Sequence, residues 1–201
     1  MKQRQLEILL ERVAVFESPS TSLEQYTTPA TIAAELLYFA LMKDDLVDTV
    51  YDLGCGTGIL AIGAALLDAP SVVGFDIDMN ALITARQSAK KLGVDVEFVC
   101  SDILDVSGKA NIVIMNPPFG AQVRGSDRPF LVRALEVADV IYSIHNEGSY
   151  EFIKKFISPA VITDRYKVGF PLRRTFKFHK KDIEVVNVEI YRIEKRYPFQ
   201  I

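Results

Sequence analysis

The residues of this chain best suited to chemistry are Asn116-Pro117-Pro118-Phe119, which follow directly on the apolar run Asn111-Ile112-Val113-Ile114-Met115. Well upstream lies a glycine-rich loop, Asp52-Leu53-Gly54-Cys55-Gly56-Thr57-Gly58. An amide side chain, a backbone carbonyl stiffened by two prolines and an aromatic face can together hold an exocyclic amino group and stack on the ring that carries it. Proline cannot donate to a ladder, so a proline pair at the end of an apolar strand marks a rigid turn lining a site. With the glycine loop supplying a second ligand, the pair of motifs suits methyl transfer to a planar nitrogen.

The loop narrows the second ligand. Glycines at the end of a strand let a molecule approach the backbone, and open parallel sheets bind ligands at the carboxyl ends of their strands. Dinucleotide folds use G-x-G-x-x-G to seat a pyrophosphate on a helix N-terminus. Here the spacing is G-x-G-x-G, with Asp52 two residues before the first glycine, which suits a cationic amino acid better than a diphosphate. Asp76, at the end of the next apolar run, is placed to accept from both hydroxyls of a ribose. Asp102 is open to two roles, a contact to an adenine amino group or the cap of a following turn, and Asp78 is expected to cap the helix from Met79.

Other chemistries find little support. Two cysteines, Cys55 and Cys100, and two histidines, His145 and His179, cannot build a Cys-x-x-Cys zinc site or a disulfide framework, so no metal is expected. Cys55, inside the glycine loop, reads as a small packing residue. The net charge of -3 is unevenly spread: residues 161–201 hold ten Lys/Arg and five Asp/Glu. Arg173, Arg174, Lys177, His179, Lys180 and Lys181 interleave with Phe170, Phe176 and Phe178, a composition that can track a phosphate backbone and stack bases, or simply form a solvated loop. No run approaches the roughly 18 apolar residues that span a bilayer, and a soluble, cytoplasmic protein is expected.

These residues need elements to position them. Leu6, Leu9, Leu10 and Val13 lie at helical spacing over Lys2–Val15, and a second helix is expected over Ile32–Met42, with Thr28 as N-cap and Pro29 in its first turn. From Thr49 the pattern alternates: strands over Val50–Leu53, Val72–Asp76, Val94–Cys100 and Ile112–Met115, helices over Ile59–Leu67 and Ala81–Leu92, the latter closed by Gly93. Helices over Phe130–Ala138 and Tyr150–Ile157 and strands over Val140–Ile144, Val161–Tyr166 and Ile183–Ile193 follow, the last alternating as a strand with one exposed face. The last two strands are expected to form an antiparallel hairpin with residues 167–182 as a long connection. The result is an α/β, doubly wound, seven-stranded and mostly parallel sheet in one domain, residues 1–201, with a helical segment over 1–45 and the core over 46–201.

The glycine loop, the acid at the second strand end and Asn-Pro-Pro-Phe, in that order, resemble the Rossmann-like class I, S-adenosylmethionine-dependent amino methyltransferases. With Leu23-Glu24-Gln25-Tyr26 upstream and Phe176-Lys177-Phe178-His179-Lys180-Lys181 downstream, the chain resembles the methyltransferase-like protein five family, adenine-N6 methyltransferases of small-subunit ribosomal RNA. The resemblance covers nearly the whole chain, although the family often has proline where this chain has Thr27. It implies that Gln25, Thr28, Asp52, Gly54, Gly56, Thr57, Gly58, Asp76, Asp102 and Ile103 hold S-adenosylmethionine, and that Asn116, Pro117, Pro118 and Phe119 are catalytic. Arg124, Arg173, Arg174, His179, Lys180 and Lys181 are then expected at the RNA. It also implies a small zinc-ribbon activator as a heterodimer partner, for which an edge strand around Val72–Phe75 or Val94–Val99 would be the docking site. Glutamine-N5 methylation of a protein, methylation of another nucleic-acid amino group, a non-catalytic RNA-binding module and a nicotinamide oxidoreductase are the alternatives.

Overall fold

The structure is a computed structural model that describes residues 1–120, 123–173 and 183–196. Its sheet comprises β1 (Thr49–Leu53), β2 (Ser71–Asp76), β3 (Glu97–Cys100), β4 (Ala110–Met115), β5 (Ala138–Asn146), β6 (Val161–Arg173) and β7 (Ile183–Glu194). They lie in the order β3-β2-β1-β4-β5-β7-β6. Pairs from β3 through β5 are parallel, and β7 is antiparallel to both β5 and β6. The sheet is thus the mostly parallel one with a C-terminal antiparallel hairpin that the sequence leads one to expect.

The helices are α1 (Gln3–Leu10), α2 (Ala30–Met42), α3 (Ile59–Leu66), α4 (Met79–Leu92), α5 (Arg128–Val137) and α6 (Tyr150–Phe156). Strands of a parallel sheet are covered on both faces, so β4 reads as an unbroken apolar run. Ile112 and Ile114 point into a core shared with α1, α2, α3 and α4, and Val113 and Met115 into a second core with α5 and α6. The first core is tight: a Cβ on Gly63 of α3 would lie 2.3 Å from Leu37 Cδ1 of α2, so only glycine lets these helices approach so closely. Asp78 caps α4 by accepting from the Asn80 N–H, and Gly93 closes the helix in the left-handed conformation at φ 70°.

Four expectations change. Thr28 does not cap α2: the N-cap is Pro29, without a side-chain bond, and the threonine hydroxyl is engaged elsewhere. Strand β6 runs on to Arg173, so residues 167–173 of the segment expected as a connection are paired strand. Strand β7 does not have one solvated face: it lies between β5 and β6, and every residue from Val188 to Ile193 is buried. Finally, β2 lies between β1 and β3, which removes Val72–Phe75 as an edge and leaves β3 and β6 as the outer strands.

Because β2 and β3 lie on one side of β1, and β4 on the other, the chain reverses its winding between β1 and β4. In open α/β sheets the crevice beyond the strand ends at such a point is the ligand site. The glycine loop leaves β1 there, and Asn116 leaves β4.

Candidate active site

A cavity of about 460 Å³ opens at this switch point. Its wall includes Gln25 from the leading segment, Gly54 and Gly56 from the glycine loop, Asp76, Asp102 with Ile103, and Asn116 with Pro118. A small recess continues from it, lined by Thr28, Asp52, Gly54, Gly56, Thr57 and Asn116. Residues far apart in sequence are therefore brought to one place. The charged side chains of the two walls are Glu24, Asp76, Asp102 and Asp52, and among the described residues no lysine, arginine or histidine joins them.

The local geometry explains the glycines. Gly54, Gly56 and Gly58 have φ of 71°, 53° and 84°, a region that costs other residues about 1–2 kcal/mol. A Cβ on Gly54 would lie 2.8 Å from Phe130 Cε1, and one on Gly56 2.7 Å from Phe16 Cζ. Gly58 opens α3 but brings no side chain to cap it. Asp52 takes over that task from the preceding strand: its Oδ2 accepts from the Ala61 N–H at 2.9 Å. Its Oδ1 is buried without a partner among the described residues. Burial, with a smaller contribution from Asp76, pushes the Asp52 carboxyl up to about 8, against the Ala61 N–H bond that favours its ionised form. Cys55 is buried and its thiol is pushed well above its ordinary range, chiefly by burial, as suits a packing residue.

Asp76 joins the glycine loop to the next turn. Its Oδ2 accepts from the Gly56 N–H at 2.7 Å and its Oδ1 from the Asp78 N–H at 2.9 Å, while burial raises its pKa. Gln25 clasps the leading segment onto the same turn: its Oε1 accepts from the Ser20 N–H, and its Nε2 donates to Asp78 Oδ2 at 2.8 Å. Of the two roles left open for it, Asp102 takes that of cap, accepting from the Leu104 N–H at the start of the short 3-10 turn Ile103–Asp105, and it also lines the cavity.

Asn116 is oriented by Thr28. Its Nδ2 donates to Thr28 Oγ1 at 2.9 Å, and its Oδ1 is buried without a partner among the described residues. A buried amide oxygen lacking its hydrogen bond costs about 1–3 kcal/mol, a cost that a hydrogen-bond donor entering the cavity would relieve. Pro117 is buried and Pro118 faces the cavity. Phe119 is half-buried and packs against the core that holds α2 and α3. Arg124 is exposed beside Val123, which lines the cavity. Arg173 ends β6, and Arg174, His179, Lys180 and Lys181 lie outside the described residues.

Four wall residues escape a reading of the sequence. Phe16 touches both the cavity and the recess, Phe130 covers Gly54, Ser126 presents a buried Oγ without a partner among the described residues, and Glu24 stands buried at a left-handed φ of 49°. Only Glu24 carried a signal, since it lies in Leu23-Glu24-Gln25-Tyr26.

A doubly wound sheet with an acid-lined crevice behind a glycine loop defines a class I methyltransferase. A family model of the methyltransferase small domain matches residues 30–138. Relatives include rRNA N(6)-adenosine-methyltransferase METTL5 of Danio rerio, 36% identical over 96% of this chain and 98% of the relative. An uncharacterized protein of Methanocaldococcus jannaschii is 41% identical over 97% and 95% of the two chains. A crystal structure of a Pyrococcus horikoshii protein, 37% identical, covers 97% of this chain and 98% of its own with a TM-score of 0.91. The chain belongs to the methyltransferase-like protein five family, and with it to the S-adenosylmethionine-dependent methyltransferases.

The site fits that donor. S-adenosylmethionine carries a sulfonium, an ammonium and an adenosine but no phosphate, and the walls offer carboxylates and a glycine cradle, with no lysine, arginine or histidine among the described residues. A dinucleotide's pyrophosphate would find the opposite of what it needs. Among the described residues no cluster of His, Cys, Asp and Glu is arranged to hold a metal ion, and no helix is long and apolar enough to cross a membrane.

Proposed function

We propose that this protein methylates N6 of an adenosine in RNA, with small-subunit ribosomal RNA as its substrate. The observation that carries the reading is Asn116: an acceptor oxygen held by Thr28, buried and unpartnered, at the wall of an acid-lined cavity. The lone pair of an aromatic amine is delocalised into its ring and is a poor nucleophile. Asn116 Oδ1 and the Pro117 carbonyl would each accept one of the two N–H bonds, favouring a more tetrahedral nitrogen whose lone pair is free to attack. Positioning and electrostatics then carry the rate, without a covalent intermediate. The bound donor supplies an electrophilic methyl group on a sulfonium. Asp52 and Thr28 would hold its amino-acid end in the recess, Asp76 its ribose, and Asp102 with Ile103 its adenine, while Gln25 keeps the leading segment closed over it. Phe119 would stack on the target base, a contact worth about 1–3 kcal/mol in single-strand recognition.

The test is mass spectrometry of nucleosides from small-subunit ribosomal RNA incubated with donor, with and without the protein. N6-methyladenosine appearing only with the protein is expected; label entering protein instead would favour glutamine-N5 methylation, whose amide nitrogen suits the same two acceptors. The basic segment including Arg173, Arg174, Lys180 and Lys181 would contact phosphates. Neutralising these four is expected to weaken RNA binding and lower the slope of log affinity against log salt by up to about one per lost contact. A zinc-ribbon activator would pair with the β3 edge, the one outer strand of the expected pair, and the complex would act in the cytoplasm.

A further inference from the structure

The methyltransferase-like protein five site receives a base, and the strand carrying that base must cross the surface around the cavity mouth. One stretch of that surface carries an exposed ring, Phe152, two half-buried rings, Tyr150 and Phe156, whose inner faces pack against the second core, and several cations. Helix α6 presents Tyr150, Phe152 and Phe156, with the Phe152 and Phe156 ring centroids 5.6 Å apart. Phe152 is 40% exposed. Lys154 and Lys155 are exposed on the same helix, and Lys154 Nζ lies 5.7 Å from the Tyr150 ring. Arg128, the first residue of α5, places its guanidinium 5.2 Å from the Phe152 ring.

Arg128 ties this patch to the cavity. Its side chain covers Gly125, where a Cβ would meet Nε at 3.0 Å, and its neighbours Ser126 and Pro129 line the cavity wall. Topology agrees: α6 follows the carboxyl end of β5, the end at which β4 delivers Asn116. The β6–β7 ladder runs five pairs beyond the last residue of β5, from Gly169↔Asn187 to Arg173↔Ile183, so this arm projects about 17 Å past the sheet at that same end. The patch lies between the mouth and the base of the arm. Among the described residues the opposing charges are Glu151, exposed on α6, Asp127, which precedes Arg128 and interacts with it, and Glu147, bonded to Lys167, while Arg165, over the Tyr150 ring at 4.3 Å, is already paired with Glu189.

We propose that Tyr150, Phe152 and Phe156, with Arg128, Lys154 and Lys155, form a platform for the single-stranded RNA flanking the target adenosine. Rings with cations beside them are what unpaired bases stack on while their phosphates are held, whereas a duplex keeps its base faces covered. The inference rests on RNA being the substrate.

The probe is a fluorescein-labelled, 15-nucleotide single-stranded RNA with one adenosine among uridines, titrated by anisotropy in the presence of S-adenosylhomocysteine. Phe152→Ala is expected to weaken binding about fivefold or more, Phe152→Trp to retain it, and Phe152→Leu to behave as the alanine variant. Lys154→Glu with Lys155→Glu is expected to lower the salt slope. In turnover, Phe152→Ala is expected to raise KM for RNA by the same factor with kcat at saturating RNA unchanged. Binding within twofold of wild type in both the alanine and the double glutamate variants, a leucine variant as tight as the tryptophan one, or equal sensitivity for the same RNA annealed to its complement overturns the platform. Failure of the substrate assignment is separate: wild-type protein would then produce no N6-methyladenosine at all.

Discussion

At the carboxyl ends of β1 and β4, Asp52 and Asn116 each keep one buried oxygen without a partner among the described residues. Across β5, β7 and β6 the buried carboxylates are instead fully engaged. Asp45 accepts from Tyr142 Oη at 2.6 Å and from two nitrogens of Arg192 at 2.7 and 3.0 Å. Glu189 accepts from Arg165 and from the Tyr191 hydroxyl, which hold its carboxyl below its ordinary range even though burial acts the other way. Buried polar groups need partners, and a completed set rigidifies a core. Where the set is complete the groups tie the antiparallel hairpin to the rest of the sheet; where one acceptor is left over, the missing partner in the proposed function is a ligand. Tyr166, whose hydroxyl is also buried without a partner among the described residues, packs edge-on against Phe39 and lines neither cavity.

The contrast is sharpest if each half is broken in turn. Asp45→Ala leaves the Arg192 guanidinium buried with only Thr163 and Glu194 to answer it. Removing one member of a buried ion pair costs about 3–5 kcal/mol. For a chain of this length that is roughly 6–20 °C in Tm by calorimetry. Turnover per folded molecule is expected to be unchanged. A variant that melts like wild type but fails to methylate would reverse the roles of the two regions.

Asn116→Ala should do the opposite. Losing one preorganised polar contact to reacting atoms slows kcat by about 10²–10³-fold, or roughly 2.7–4 kcal/mol. Donor affinity by calorimetry should stay within about twofold, since Asn116 faces the acceptor base in the proposed arrangement. Turnover at the wild-type rate would remove Asn116 from the chemistry.

How much of this could be read from the chain divides along the same line. Asp76, Asp78, Gly93 and the Asn116 corner announce themselves because local chemistry demands them: a cap, a left-handed closure, a strand that ends in two prolines. Phe16 and Phe130 do not, because an aromatic covering a glycine 40 or more residues away has no local signature. Thr28 misleads for the same reason, since a threonine before proline looks like a cap until Asn116 is folded against it. Strand β7 is read as half-solvated because polar residues such as Glu184, Asn187, Glu189 and Arg192 are interspersed with apolar ones; that Glu189 and Arg192 are buried in pairs depends on Arg165 and Asp45, which only the fold brings near. Residues that work through long-range partners are the ones that a linear reading misplaces.

Gly56→Ala tests the cradle at an intermediate scale. The left-handed backbone costs alanine about 1–2 kcal/mol, and the new methyl lies 2.7 Å from the present position of Phe16 Cζ. Donor binding is expected to weaken about tenfold, with part of the loss recovered in the Gly56→Ala, Phe16→Ala double variant, where the ring no longer has to move. Equal losses in single and double variants would show that Phe16 does not press on the loop.

Protons separate the two halves most finely, because their buried titratable groups are shifted in opposite senses. Burial holds His145 down at about 3, so it is neutral against Ser143 Oγ, Asp127, Tyr191 and the opposing Glu189. Its contribution to stability is complete above its unfolded value of about 6.5 and is lost as pH falls toward 3. Asp52, raised to about 8, contributes fully below its unfolded value of about 3.9 and loses that contribution as pH rises toward 8. Urea titrations between pH 5 and 8 should therefore show wild type losing up to about 1.4 kcal/mol per pH unit relative to Asp52→Asn, which stays neutral and can still accept from Ala61. In the proposed arrangement donor binding would supply the cationic partner that Asp52 Oδ1 lacks, and a carboxyl raised to about 8 would have to ionise to meet it. Calorimetry at pH 7 in two buffers of different ionisation enthalpy should show about one proton released per donor bound by wild type and close to none by Asp52→Asn. Equal release by both would mean that Asp52 serves only as the cap of α3, and that the open acceptors of the donor half reduce to Asn116 alone.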